Sequence, residues 1–436
     1  MTIVNMKKDW KTVVIVGAQW GDEGKGKVTD YYGSKADYVV RFQGGNNAGH
    51  TISHNGQVLK LHLLPSGVMH PRAKVVIANG VVIDPKVLFE ELALLKKVGL
   101  TPKLLVSDRA HLIFPWHIYL DSAGEVWQEK QKLSAGSTGR GIWPAYADKA
   151  GRVGIRVVDL LNPGIFKRKF DLLFNLSQKR LSALYGSKIK LDKQKIIKQY
   201  MGYARLLLPM VADTSLEISQ AIGAKKKIFF EGAQGAMLDV DHGLYPYTTS
   251  SNTMAGAVCS GAGVSPHKID KVIGVVKAYL SRVGGGYLPT ELKDKTGDYL
   301  RETGAEYGTT TGRARRIGWL DLVQLRYSAR INGLDSLAIT KIDIMDGLQE
   351  VKVCTAYKVG KKIIKELPAD LSVYDKCLPV YKTFKGWPKA SSAIGKKLYK
   401  NLPINMKKYL EFIEKEVNVP IEMVSVGPER NATIIK

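Results

Sequence analysis

The junction between Thr12-Val-Val-Ile-Val16 and Gly17-Ala-Gln-Trp-Gly-Asp-Glu-Gly-Lys-Gly-Lys27 constrains this chain more than any other stretch. A β-branched run of that length reads as a strand buried on both faces of a parallel sheet. A glycine-dense loop directly after such a strand is where backbone N–H groups converge on phosphate oxygens at the start of a helix. Gly21 to Lys27 fits the first seven positions of the phosphate-loop pattern G-x-x-x-x-G-K. The eighth position, ordinarily a Ser or Thr that holds magnesium, is Val28. The loop also carries two carboxylates, Asp22 and Glu23, in a place meant for anions. They belong there only if a divalent cation or a proton transfer uses them.

Further short apolar runs at 38–42, 75–78, 103–106, 228–231, 272–276, 337–341 and 421–426 read as strands, separated by helical patterns and glycine-marked turns. This predicts an α/β fold with a large wound, mainly parallel sheet of the phosphate-loop NTPase type, whose ligands sit at the carboxyl ends of the strands. A length of 436 residues exceeds the roughly 250–300 that one core usually serves. We therefore expect a single domain over 1–436 that contains a helical subdomain at 161–227 and a peripheral subdomain at 349–400. No internal repeat or low-complexity tract is present.

The formal charge is +25, from 65 basic and 40 acidic residues. Between 161 and 230 there are fourteen Lys or Arg against four Asp or Glu, spread at helical intervals rather than gathered into a tract. With no recurrent aromatic–basic interleaving and no zinc or helix-turn-helix pattern, the charge reads as a diffuse surface that gathers small anions, not as a nucleic-acid site. Three cysteines without metal-ligand spacing suit free thiols in a reducing cytosol. No apolar run reaches the roughly 18 residues of a membrane span. The first residues lack the apolar core of a secretory signal. A cytoplasmic location is expected.

Three more loops carry chemistry. Gly44-Gly-Asn-Asn-Ala-Gly-His-Thr51 follows a strand and combines glycines, which allow close backbone approach, with amides that both donate and accept. His50 within it is a candidate catalytic residue, whereas His54, His62, His70, His111 and His117 have no such setting and read as structural. Thr340-Lys-Ile-Asp343 resembles the [NT]-K-x-D element that reads guanine, where a carboxylate accepts from N1–H and the 2-amino group; a polar site of this kind rejects a base that leaves it unpaired. Thr309-Thr-Thr-Gly-Arg-Ala-Arg-Arg316 packs hydroxyls against arginine forks, which suits carboxylates and phosphates. Gly136-Ser-Thr-Gly-Arg-Gly141 has the same character, and Arg152 follows it.

Taken with Glu231-Gly-Ala-Gln-Gly235 and Tyr245-Pro-Tyr247 plus Thr249-Ser-Ser-Asn252, these strings resemble the adenylosuccinate synthetase family in order over nearly the whole chain. The resemblance implies GTP-dependent ligation of IMP and L-aspartate to adenylosuccinate, with GDP and phosphate released through a 6-phosphoryl-IMP intermediate, the first step committed to AMP. By that resemblance Asp22 is the general base, His50 the acid, and Gln234 the donor to the 6-oxygen. IMP would contact Asp22, Glu23, Gly24, Lys25, Asn47, Ala48, Gly49, His50, Thr138, Gln234, Thr249 and Arg313. Arg152 would reach IMP from the partner subunit of a homodimer. GTP would lie on Gly21, Asp22, Glu23, Gly24, Lys25, Gly26 and Lys27, with Gly49, His50, Thr51, Arg315, Lys341, Ile342, Asp343, Ser425, Val426 and Gly427. L-aspartate would be held by Thr309, Thr310, Thr311, Gly312, Arg313, Ala314 and Arg315. One Mg²⁺ would be held by Asp22 and the Gly49 carbonyl, which removes the need for a hydroxyl at Val28. No nucleic acid or membrane is expected as a partner.

Two positions depart from the family pattern: Trp143 stands where a glycine is usual, and Ser137 where a threonine is. A GTP-binding switch protein or GTPase would share the phosphate loop and 340–343, but has no need of 44–51, Gln234 or the arginine-rich loop.

Overall fold

The structure, a computed structural model, describes residues 10–54, 57–131, 133–134, 136–308, 312–389 and 398–436, with backbone alone for 50–54, 57 and 58. Its frame is a ten-stranded sheet. Numbered along the chain, the strands are β1 Thr12–Gly17, β2 Tyr38–Arg41, β3 Lys74–Ile77, β4 Lys103–Ser107, β5 Val211–Ala212, β6 Ile228–Glu231, β7 Lys271–Lys277, β8 Ser336–Thr340, β9 Ile421–Ser425 and β10 Thr433–Ile435. They lie side by side in the order β10-β9-β8-β7-β1-β6-β2-β3-β4-β5. All neighbours are parallel except β9 and β10. Val13, Val14, Ile15 and Val16 are buried, as a strand covered on both faces requires.

Every run read as a strand enters this sheet, with ends shifted by about a residue. Two strands are additions. β5 is two residues long and lies inside the lysine-rich stretch, too short for any periodicity to announce it. β10 returns antiparallel at the edge, pairing Thr433–Ile435 with β9.

Between β4 and β6 run the helices Pro163–Tyr185, Lys193–Leu207 and Thr214–Gly223. The first buries Phe166, Phe170, Leu173 and Leu181 on one face. These join an aromatic cluster in which Phe114 stacks on Trp116 at 4.4 Å and on Tyr200 at 4.2 Å. The apolar stripe faces inward, so Lys167, Lys179, Lys195 and Lys198 are left in solvent.

Within 349–389, Glu350–Val359 pairs antiparallel with Leu378–Lys385 along one edge and with Lys362–Ile364 on the other, and Leu320–Asp321 adds a short parallel strand to that second edge. Cys354, Tyr357 and Tyr374 from this region share an apolar cluster with Trp20. The small sheet therefore packs beneath the phosphate loop. That loop springs from β1 at the centre of the large sheet, and the loops after β2, β6, β8 and β9 leave the same carboxyl edge, where an open parallel sheet places its ligands.

Candidate functional site

The phosphate loop turns at Gly24, left-handed with φ 85°, and opens into the helix Lys25–Gly33. Val28 is buried with Val13, Ile15 and Phe229 on the sheet side of that helix. Glu23 is the keystone of the turn. Its Oε1 accepts from the N–H groups of Gln19 and Gly21 at 3.1 and 2.9 Å, and Lys25 Nζ donates to its Oε2 at 2.5 Å. A Cβ on Gly17 or on Gly235 would come within 2.5 Å of that carboxylate, so both positions need glycine. Contrary to the sequence expectation, the two carboxylates do not act as a pair: the Glu23 side chain is fully buried and braces the loop, and Asp22 is the one that faces outward. Lys25 Nζ also donates to the Gln234 carbonyl at 2.5 Å, so its ammonium ties the loop after β6 to the phosphate loop.

The loop after β2 hangs on a buried arginine. Arg41 donates to the carbonyls of His62, Leu63 and Gly45 at 2.6, 2.9 and 2.5 Å. His62 Nδ1 bonds the Ala48 carbonyl at 2.8 Å, a structural task as its sequence setting suggests. Tyr146 OH receives the Gly44 N–H at 2.9 Å and donates to the Gly80 carbonyl at 2.7 Å. Asn47 Nδ2 reaches Thr249 Oγ1 at 3.3 Å, joining two of the expected IMP contacts. Gln234 lies between the loops, with its backbone against Gly21 and Oε1 beside Gly44. Both polar atoms of its amide are buried and have no hydrogen-bond partner among the described residues.

Asp22 Oδ2 pairs with Arg315 Nη2 at 2.8 Å, and Arg315 Nη1 pairs with Glu306 Oε2, also at 2.8 Å. Glu306 Oε1 in turn accepts from Lys341 Nζ at 2.6 Å. Thr340 Oγ1 donates to the Glu23 carbonyl, fastening the end of β8 to the phosphate loop. Lys27 Nζ donates to Ser425 Oγ at 2.6 Å and to the carbonyls of Gly427 and Ala432 at 2.5 and 3.1 Å. Burial pushes the Lys27 ammonium down to about 8, against the pull of Asp343 and Glu429. Burial likewise raises the Asp343 carboxyl, opposed by Lys27 and Lys341.

Among the described residues seven non-glycines have positive φ, and four of them are Asp22, Arg152, Gln234 and Lys341. Such conformations cost about 1–3 kcal/mol each and concentrate where a ligand needs them.

The family profile of adenylosuccinate synthetase matches residues 14–434. The chain belongs to the adenylosuccinate synthetase family. An adenylosuccinate synthetase of Thermodesulfovibrio yellowstonii is 49% identical over 427 residues, 98% of this chain and 99% of that protein. One of Carboxydothermus hydrogenoformans is 51% identical over 425 residues, 97% of this chain and 98% of that protein. The solved structure of a fully ligated adenylosuccinate synthetase from Plasmodium falciparum is 40% identical, superposes with a TM-score of 0.92, and covers 98% of this chain and 100% of that one. As an adenylosuccinate synthetase family member the chain is a ligase of purine nucleotide biosynthesis that joins IMP and L-aspartate at the expense of GTP. A GTP-binding switch is not favoured.

The remaining sequence candidates of this family member fall as follows. Thr138 sits in the loop 136–141, held by the helix Pro115–Lys130: Asp121 accepts from Ser137 Oγ at 2.5 Å and from Gly141 N–H at 2.8 Å. Trp143 packs its ring over Gly124 of that same helix, on the support of this loop. Arg152 is exposed in the turn after the helix Ile142–Ala150. Gly312, Arg313 and Ala314 lie exposed at the end of the arginine-rich loop. Thr309, Thr310 and Thr311 fall outside the described residues, as do the side chains of His50 and Thr51. Sequence reading missed Arg41, Asp121 and Glu306. Each is a charged side chain with at least one partner outside its own loop, and no local pattern marks it.

Proposed function

We propose that Asp22, His50 and Gln234 carry the ligation. Asp22 takes the N1 proton of IMP, the 6-oxygen attacks the γ-phosphorus of GTP, and GDP leaves. The amine of L-aspartate then displaces phosphate from C6, so the sum is IMP, GTP and aspartate to adenylosuccinate, GDP and phosphate. Gln234 steadies the 6-oxygen as it gains charge, the work of a preorganised neutral donor. His50 donates toward the phosphoryl oxygens. The observation that carries this reading is the Gln234 amide, buried and unpartnered beside the Asp22 loop. An unsatisfied buried amide costs about 1–3 kcal/mol and calls for a ligand that completes it.

In this proposal GTP phosphates lie over Gly21–Lys27 with Arg315 and Lys341, Asp343 reads guanine, and the loop 309–315 takes the aspartate carboxylates. Mg²⁺ suits the donors offered, the Asp22 carboxylate and the Gly49 carbonyl, because it prefers few protein oxygens and completes its shell with water and phosphate. Arg315 engages Oδ2 of Asp22. When bound, the cation supplies charge neutralisation at the triphosphate. Among the described residues no group of three or more His, Cys, Asp or Glu converges.

We place the working unit as a homodimer in which the partner's exposed Arg152 completes the IMP site, and in the cytoplasm. No helix among the described residues is long and apolar enough to cross a membrane. GDP release, followed with IMP and aspartate each omitted in turn, tests the reading. Release that needs both substrates supports it, and release with GTP alone overturns it.

A further inference from the structure

Glu306 joins more of the site than any residue named for a ligand. Its carboxylate is fully buried and receives four donors: Lys277 Nζ at 2.8 Å, Tyr279 OH at 2.6 Å, Lys341 Nζ at 2.6 Å and Arg315 Nη1 at 2.8 Å. Burial pushes its pKa up, but Lys277, Lys341 and Arg315 outweigh burial and hold it below the usual carboxylate range. The main chain repeats the link, because Arg315 N–H donates to the Glu306 carbonyl at 2.8 Å. Side chain and main chain thus tie the same two residues together. The preceding residue, Ala305, is left-handed with φ 48°. A strained alanine next to a buried carboxylate indicates a chain bent to deliver that carboxylate.

Two of its partners come from different parts of the site, and one of them leads to a third. Lys341 belongs to the loop after β8, Arg315 to the arginine-rich loop, and Asp22 is reached through Arg315 at 2.8 Å. The cluster holds three cations, Lys277, Arg315 and Lys341, against two carboxylates. It is one anion short, which suits a phosphate-bearing ligand. We propose that Glu306 is the positioning residue that sets the spacing of Lys341, Arg315 and Asp22, and so couples the guanine end of the nucleotide site to the aspartate loop and the general base. The proposal rests on the reading that Arg315 and Lys341 serve the GTP site.

Lys277 provides the discriminating test. It is buried, bonds Glu306 and Ser281, and is assigned to no ligand. If Glu306 did no more than neutralise Lys277, removing both charges would restore everything. The experiment measures thermal unfolding, binding of a fluorescent GTP analogue, and kcat and KM for GTP and aspartate, in the Glu306→Gln/Lys277→Met double variant and in Glu306→Asp. The expected result is a folded double variant whose affinity for the analogue falls about tenfold or more, the scale of one lost charge-assisted hydrogen bond, with KM for aspartate rising as well. Near wild-type binding and kinetics in the folded double variant overturn the proposal. Should the double variant fail to fold, Glu306→Asp decides. Its carboxylate, one methylene short, cannot reach Lys341 and Arg315 together, so GTP affinity should drop, and unchanged affinity overturns the proposal. Lys341→Met and Arg315→Ala separate the two readings. If neither weakens analogue binding, the GTP-site assignment fails. If both weaken it while the folded Glu306 variants do not, the positioning role alone fails.

Discussion

The indole N–H of Trp20 donates to Gln324 Oε1 at 2.8 Å, joining residues 304 positions apart. Gln324 Nε2 passes the link to Tyr374 OH at 2.9 Å and to Asp321 Oδ2 at 3.2 Å, and the Arg282 guanidinium covers the indole ring at 3.9 Å. The phosphate loop is therefore anchored to the small peripheral sheet two residues before Asp22. Trp20→Phe keeps an aromatic ring but removes the pyrrole part of the indole with its donor, leaving Gln324 Oε1 buried without a partner from this side. The variant should lose about 1–3 kcal/mol in a urea titration, and its kcat should fall because Asp22 is less firmly placed. An unchanged midpoint would show that this bond contributes nothing.

Asp321 gives the same network a pH signature. Burial pushes its carboxyl up to about 6, in spite of bonds from Tyr357 OH and the N–H groups of Gln324 and Val323. A carboxyl raised in the folded state binds a proton that the unfolded chain has already lost between about pH 4 and 6, so stability falls as pH rises through that window. The size is roughly 3 kcal/mol for a shift of about two units. Measured against Asp321→Asn, the wild type should gain stability on going from pH 6 to pH 4 and run parallel to it above pH 7. Parallel curves throughout would place the Asp321 pKa at its ordinary value.

Asp22→Asn should leave the fold intact, because asparagine tolerates the left-handed φ of 56° found at this position. Turnover should fall by at least about 10²–10⁴-fold, the usual weight of a general base. Steady-state kinetics beside a circular dichroism spectrum would check both halves, and near wild-type turnover would remove Asp22 from the mechanism.

Guanine recognition should rest on Asp343. Replacing it with Ala should raise the KM for GTP and narrow its advantage over ATP and ITP. A preference for GTP that survives the change would mean that the base is read elsewhere.

Arg152 is the residue whose role depends on a second chain. Arg152→Leu and Asp22→Asn should each be nearly inactive, since a charge-assisted phosphate contact contributes roughly 1.5–3 kcal/mol. After random subunit exchange, half the dimers are mixed, and each has one site with Asp22 and Arg152 both intact. Activity should recover to about a quarter of wild type per subunit by the symmetry of an isologous dimer. Exchange confirmed by native mass measurement of tagged chains, without recovered activity, would mean that Arg152 serves its own subunit.

What the sequence by itself determined is local. The β-branched run before Gly17 predicts a buried strand, the glycines after it predict a phosphate loop, and the seven further runs predict the members of a parallel sheet, because strand burial and turn chemistry are written in neighbouring residues. The order of motifs likewise suffices to place the chain in its family. Tertiary structure decided what each side chain in those motifs faces. Asp22 and Glu23 are adjacent and chemically alike, yet Glu23 closes on Gln19, Gly21 and Lys25 while Asp22 meets Arg315. Nothing in 306 sets it apart from Glu302 until the fold brings Lys277, Arg315 and Lys341 around it. The physical reason is that a buried charge is stable only with partners, and those partners arrive from strands and loops far apart in the chain, so their meeting is a property of the assembled sheet and not of any segment.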